Sequence, residues 1–231
     1  MYKHILSLLV LVVFFSSCSK DNPVGPTGET FTKAKTGNVF VYDEYSTDSA
    51  NVIIVGLRDT INAKVLLTDG NIGGKSGVLF IEEKRGSTTD TAYYAYESNN
   101  NFSVYANPSD PAFPIWETIP TGTGTTIIRE TDYSVMGIDT SVTYDSTITS
   151  LLGTEIITIK DELVSTKKVQ LRFRHVVFYN RVKWIDQTVD NILYYAPSLG
   201  FIVRTESSSR QDQFGDWING SYQTLIDYDL K

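Results

Sequence analysis

From Val39 onward, apolar and polar residues alternate with a period of two and not 3.6, the period of a strand with one face covered. KVQLRFRHVVFY (168–179) sets Val169, Leu171 and Phe173 against Gln170, Arg172 and Arg174. YQTLIDYD (222–229) sets Tyr222, Thr224, Ile226 and Tyr228 against Gln223, Leu225, Asp227 and Asp229. Eleven further runs, VFVYDEY, INAKVLLTD, GVLFIEEK, TAYYAYES, NFSVYA, TTIIRETDY, TSVTYDST, EIITIK, RVKWIDQTVD, NILYYA and FIVRTESS, are rich in β-branched and aromatic residues. Gly, Asn, Asp and Ser clusters separate them, so each predicts a strand. Helix is expected only in small pieces, at 55–59 or around the proline-rich PSDPAFPIW (108–116).

The connections predict how the strands pair. SNNN (98–101), PSLG (197–200) and the GNIGGKSG loop (70–77) lie between apolar runs and read as antiparallel hairpin turns. A chain of neighbouring hairpins is a meander. About a dozen strands then curl into a barrel, a half-open barrel or a two-layer sandwich, because a long flat sheet leaves bare edges. The expected fold is all-β, an antiparallel barrel or half-open barrel with little helix.

The N-terminus breaks the pattern. In MYKHILSLLVLVVFFSSC a basic head at Lys3 precedes eleven largely apolar residues, 5–15, and then two serines before Cys18. An apolar run of that length suits an export signal and falls short of the roughly 20 residues that cross a bilayer as a helix. Phe15, Ser16, Ser17 and Cys18 resemble the lipobox of bacterial lipoproteins, although leucine is the commoner residue at the place of Phe15. The resemblance implies cleavage before Cys18, acylation of its sulfur, and membrane attachment through the N-terminal lipid. Cys18 is the only cysteine, and acylation removes the liability of a free thiol in an oxidising compartment. Ser19, where aspartate would retain an inner-membrane lipoprotein, implies onward travel to the outer membrane, facing either the periplasm or the cell surface. The expected division is signal peptide 1–17, lipidated Cys18 with a flexible Pro- and Gly-containing tether over 18–37, and a single β domain over 38–231.

Charge narrows the partners. The chain has 20 Lys and Arg against 27 Asp and Glu, and losing residues 1–17 moves its net charge from −7 to −8. An acidic surface offers no footprint for nucleic acid phosphates. The remaining chemistry is sparse. After cleavage one histidine remains, His175, on the strand face of Leu171 and Phe173, which reads as a core or rim histidine more than as a base or ligand. One histidine and one acylated cysteine cannot assemble a usual zinc site. No G-x-S-x-G elbow is present, and Gly74, Lys75 and Ser76 lack both the spacing and the following helix of a phosphate-binding loop. The adjacent acids Glu82-Glu83 and Asp161-Glu162 face opposite sides of a strand, so a hydrolytic carboxylate pair needs two different strands. No cofactor, metal or catalytic residue is assigned.

Two features suit binding. Lys168, Arg172 and Arg174 share a strand face, and either engage an anion or pair with this protein's acids. The aromatics Tyr93, Tyr94, Tyr96, Trp116, Trp184, Tyr194, Tyr195, Trp217 and Tyr222 either line a groove for sugar or lipid or simply build strands.

NILYYAPSLGFIVRTE (191–206), GTEIITIKDELVSTKKVQLRF and WETIP (116–120) resemble motifs of secreted, uncharacterised all-β envelope lipoproteins. Such proteins look distantly like periplasmic lipoprotein carriers and receptors, whose curved sheet holds acyl chains. The implied function is a non-catalytic envelope binding module for apolar ligands or lipoproteins. The alternatives are a structural or accessory subunit of an envelope complex, with an exposed apolar patch, and a carboxylate-dependent hydrolase.

Overall fold

The computed structural model describes residues 31–97, 101–105, 116–119, 126–135, 141–212 and 214–231. The expected signal peptide, Cys18 and the tether up to residue 30 lie outside them, as does most of 108–116. Among the described residues fourteen strands follow one another: β1 (Val39–Thr47), β2 (Ile53–Ile72), β3 (Lys75–Arg85), β4 (Thr88–Tyr96), β5 (Phe102–Tyr105), β6 (Trp116–Ile119) and β7 (Thr126–Val135). Then come β8 (Ser141–Ile159), β9 (Glu162–Tyr179), β10 (Val182–Ala196), β11 (Phe201–Ser207), β12 (Arg210–Gln211), β13 (Trp217–Ile218) and β14 (Gly220–Asp229). No helix occurs among the described residues.

Twelve strands form one antiparallel sheet in the order β6-β5-β4-β3-β2-β1-β14-β11-β10-β9-β8-β7, and β12 and β13 make a separate small hairpin. The C-terminal strand β14 slots between β1 and β11 and so joins the two meanders. The sheet stays open, with β6 and β7 at its ends, yet it curls strongly. Tyr42 and Tyr96 reach across the hollow and donate hydroxyl hydrogen bonds of 2.7 Å to the carbonyls of Ile202 and Gly200. Four strands separate β4 from β11 within the sheet, so that bond closes only if the sheet bends into a half-barrel. Bulges at Val41/Tyr42, Leu151/Gly153 and Tyr194/Tyr195 supply extra twist where the bend is made.

Turn chemistry fixes the hairpins. β2 and β3 join through Gly73 and Gly74, β8 and β9 through Lys160 and Asp161, and β9 and β10 through Asn180 and Arg181, every one with positive φ. Two consecutive left-handed residues match the right-handed twist of the flanking strands. The GNIGGKSG segment is therefore a tighter hairpin than its composition suggests. Turns 73–74, 160–161 and 197–200 gather at one end of the sheet, called the near end because the described chain begins there. Turns 86–87 and 180–181, the 48–52 loop and the β12–β13 hairpin gather at the far end.

Some sequence expectations change. Residues 55–59 are extended within β2 and not helical: 55–57 lie in a bulge against β1, whose register jumps between Tyr45↔Arg58 and Thr47↔Ile53, and 58–59 pair with it. RVKWIDQTVD and NILYYA are one strand, β10, and TSVTYDST and EIITIK are one strand, β8. In β14, Leu225 is buried and Ile226 exposed, because the bulge opposite Val41/Tyr42 leaves Ile226 unpaired. Tyr228 on one side of that bulge and Leu225 on the other both face the core. Residues 31–37 also pack against the sheet. The Thr32 amide donates to the Pro197 carbonyl at 2.8 Å, the Ala34 amide to the Tyr96 hydroxyl at 2.7 Å, and Phe31 meets the Tyr96 ring edge-on.

Candidate functional site

The hollow of the half-barrel is the first place to look for a ligand, and near-end side chains fill it. Phe102 of β5 stacks on Tyr195 of β10 at 5.1 Å, Phe40 of β1 on Phe201 of β11 at 4.5 Å, and Tyr94 meets both Phe102 and Phe201. Phe102, Phe40 and Tyr195 are fully buried. Ring pairs of this kind add about 0.5–1.5 kcal/mol each beyond the area they bury. Between Tyr42, Glu83, Tyr94, Phe201, Thr205 and Gln223 lies a cavity of about 50 Å³. It accommodates water and is far below the roughly 300–1,000 Å³ of a small-molecule site.

Towards the far end the same face turns polar. Glu83 of β3 is directly opposite Asp90 of β4, and Glu44 of β1 lies near Glu83. Burial raises the Glu83 carboxyl above its ordinary range, the Asp90 charge adds to the rise, and Arg85 opposes it. Arg85 is drawn to Glu44 at 2.8 Å and to Asp59 at 3.8 Å. Acids from different strands thus face one region, as a carboxylate hydrolase requires. The other expected pairs divide: Glu82 bonds Lys84, while Glu162 accepts a hydrogen bond from the Tyr228 hydroxyl at 2.7 Å on the surface.

On the opposite face the cationic strip is neutralised. Arg172 forms a two-bond fork with Asp190, and Arg174 another with Asp186, at 2.7–2.9 Å. Lys168 reaches Glu155 at 3.3 Å and lies over the Tyr194 ring, with Arg204 placed over that ring as well. Hydrogen bonds from Arg174 and Lys183 hold the Asp186 carboxyl well below the usual carboxylate range. The strip pairs with acids, as its composition allowed. His175 stands opposite Asp145 and Gln187 in the sheet register, half-buried. Lys75 bonds Glu97 and lies 4.9 Å over the Trp116 ring, whose indole donates to the Gly73 carbonyl, so the glycine loop is a structural clamp. Burial opposes ionisation of Glu97, but the bonds from Lys75 and Ser103 prevail and lower its carboxyl.

The expected aromatic groove is not one surface. Tyr94, Tyr96 and Tyr195 belong to the hollow, Tyr93 and Trp116 to a cluster around Tyr105, and Tyr194 and Tyr222 lie under Arg204. Trp184 and Trp217 alone stand in solvent, at the far end. There, Tyr179, Val182 and Trp184 border an apolar hollow of about 390 Å³. Beyond Trp184 runs a groove of about 340 Å³, bounded by residues 184–188 of β10 and 210–212. Phe214, Trp217 and Val55 add exposed apolar surface at this end.

The groove follows from a split in the sheet. β10 stays paired with β9 as far as Val182↔Tyr179, but its pairing with β11 stops at Asn191↔Ser207. The Ser208 amide makes a last bond to the Asp190 carbonyl at 3.1 Å before the chain leaves for β12. A register shift between Lys183 and Ile185 then bulges Trp184 out of the ladder, leaving its residue 73% exposed. Sequence reasoning named Trp184 and Trp217 but had no signal for the split, since RVKWIDQTVD reads as an ordinary strand.

An open antiparallel half-barrel, without helix among the described residues, is the class that this geometry defines. No protein-family model matches the chain, and no curated protein matches it. Among solved structures the chain is similar to a provisionally assigned lipoprotein from Parabacteroides distasonis ATCC 8503, at 15% identity and a TM-score of 0.51, covering 88% of this chain and 100% of that one. A provisionally assigned exported protein with a YmcC-like fold from Bacteroides fragilis NCTC 9343 aligns over 87% of this chain and 100% of that one, at 11% identity and a TM-score of 0.42. At such identities the first likeness establishes a shared fold.

Proposed function

We infer that the chain is a lipid-anchored protein of the cell envelope, held at the outer membrane through Cys18, that acts as a non-catalytic binding module from the far end of its sheet. The observation that carries this reading is the contrast between a hollow packed with the chain's own rings and an end at which Val182, Trp184, Phe214 and Trp217 are exposed. A filled hollow disfavours carriage of an acyl chain inside the sheet. The lipobox resemblance supports the anchor, and the solved neighbours, one named as a lipoprotein and one as an exported protein, agree with an envelope setting.

The hydrolase reading has its acids in Glu83 and Asp90, but the cavity beside Glu83 has no room for a sugar ring.

A photo-cross-linking residue placed in cells at Trp217, or at Leu163 beside the near-end 160–161 turn, tests the assignment. Both positions are exposed. Adducts at 217 and none at 163 are expected; equal labelling, or none at either position, would sink it.

A further inference from the structure

We propose that the groove between β10 and β12 is a saccharide-binding site in which Trp184 is the stacking platform for a neutral pyranose ring. This deepens the reading above and rests on the far end being the working surface.

Three observations converge on one ligand chemistry. First, the bulge turns a tryptophan, otherwise the costliest side chain to leave in water, outward between an apolar hollow and a polar groove. A pyranose ring has the same two-sided character. Its C–H face packs on an aromatic face, and its hydroxyls project around the rim.

Second, the groove offers side chains with unused hydrogen-bonding capacity. Gln187, Arg210 and Gln211 line it without a hydrogen bond or ion pair to any other described side chain. Asp212 caps its own turn through Oδ1, receiving the Phe214 and Asp216 amides at 2.8 and 2.9 Å, which leaves Oδ2 available. The split sheet adds main-chain groups of β10 along its edge facing β12, which has no paired strand over 184–188 among the described residues.

Third, the mixture selects against other ligands. A hydroxyl is donor and acceptor at once and matches amides, a guanidinium and a carboxylate side by side. An inorganic anion needs donors alone, and here Asp186 and Asp212 would repel it. An acyl chain would bury these groups unpaired, at about 1–3 kcal/mol each. The chain's net charge of −7 points to a neutral sugar over an acidic one.

The test is titration of the mature, lipid-anchored protein in detergent micelles with cellohexaose, maltohexaose and chitohexaose, followed by isothermal calorimetry and tryptophan fluorescence. Saturable binding of at least one hexasaccharide is expected, with Trp184→Ala weakening it by about tenfold or more and Trp184→Phe retaining part of it. Gln187→Ala and Arg210→Ala each weaken it by about three- to tenfold. Unchanged melting temperatures in these variants separate lost contacts from lost folding.

No saturable binding of any of the three, or binding indifferent to Trp184→Ala, overturns the proposal. A cross-link from position 217 to a protein, together with absent saccharide binding, overturns it in favour of a polypeptide ligand while the far-end reading stands. Loss of the cross-link itself defeats that broader reading.

Discussion

Phe102 and Trp184 show what this sheet does with its aromatics at its two ends. Phe102, with no exposed surface, lies among Tyr94 and Tyr96 of the neighbouring β4 and Tyr195 and Phe201 of β10 and β11, which are distant from it in the sheet order. Trp184 has Tyr179 as its one ring neighbour, 6.3 Å away, among the described residues. Near-end rings pack across the curl, whereas Trp184 and Trp217 at the far end stand exposed to solvent.

The comparison breaks most readily at the filled hollow. Phe102→Ala should destabilise the protein by about 3–5 kcal/mol, read from urea unfolding midpoints, because the surrounding rings belong to three other strands, β4, β10 and β11, and cannot all close on the void. A loss below about 1 kcal/mol would mean that the hollow is loosely packed and open to ligands.

Gly200→Ala comes next. Gly200 has φ +66°, and a Cβ there would lie 2.2 Å from the Thr32 carbonyl oxygen. The substitution should cost about 1–3 kcal/mol, and trypsin should cut at Lys33 and Lys35 faster than in wild type as residues 31–37 come away. Unaltered proteolysis would show that this segment is held by other contacts.

Glu83 gives a smaller effect with a defined sign. Its carboxyl is raised in the folded state, so the folded protein binds this proton more readily than the unfolded chain does. Stability from this group is complete at low pH and is lost as pH rises from the ordinary carboxyl range through the raised folded value. Glu83→Gln should therefore melt higher than wild type at neutral pH, and the gap should close on acidification below the ordinary carboxyl range. A gap that widens on acidification would contradict the placement of Glu83.

Trp184→Ala should be the mildest, within about 0.5 kcal/mol of wild type in urea, despite removing the largest side chain. That difference from Phe102→Ala sharpens the contrast between the two ends.

How much of this was legible in the sequence depended on whether the signal was local. Val169, Leu171 and Arg172 alternate within an uninterrupted stretch of β9, and their faces follow directly. The PSLG and GNIGGKSG turns carry their own glycines. In β14 the alternation of 222–229 misleads, because the bulge at Ile226 is set by β1, a strand nearly two hundred residues away. The far-end groove was hidden for the same reason. Trp184 differs from a buried strand tryptophan only through a register shift against β9 and the early departure of β11, neither of which leaves a trace in RVKWIDQTVD. Glu83 and Asp90 likewise meet only once β3 and β4 are paired.

The central claim is that the hollow holds this protein's own side chains and no cargo. Its most direct test is mass spectrometry of the organic extract from the chain beginning at Ser19, exported to the envelope and purified without detergent. The account predicts acyl lipid far below one molecule per chain; one tightly held lipid per chain, lost on enlarging Val203 at the buried face to Trp, would contradict it.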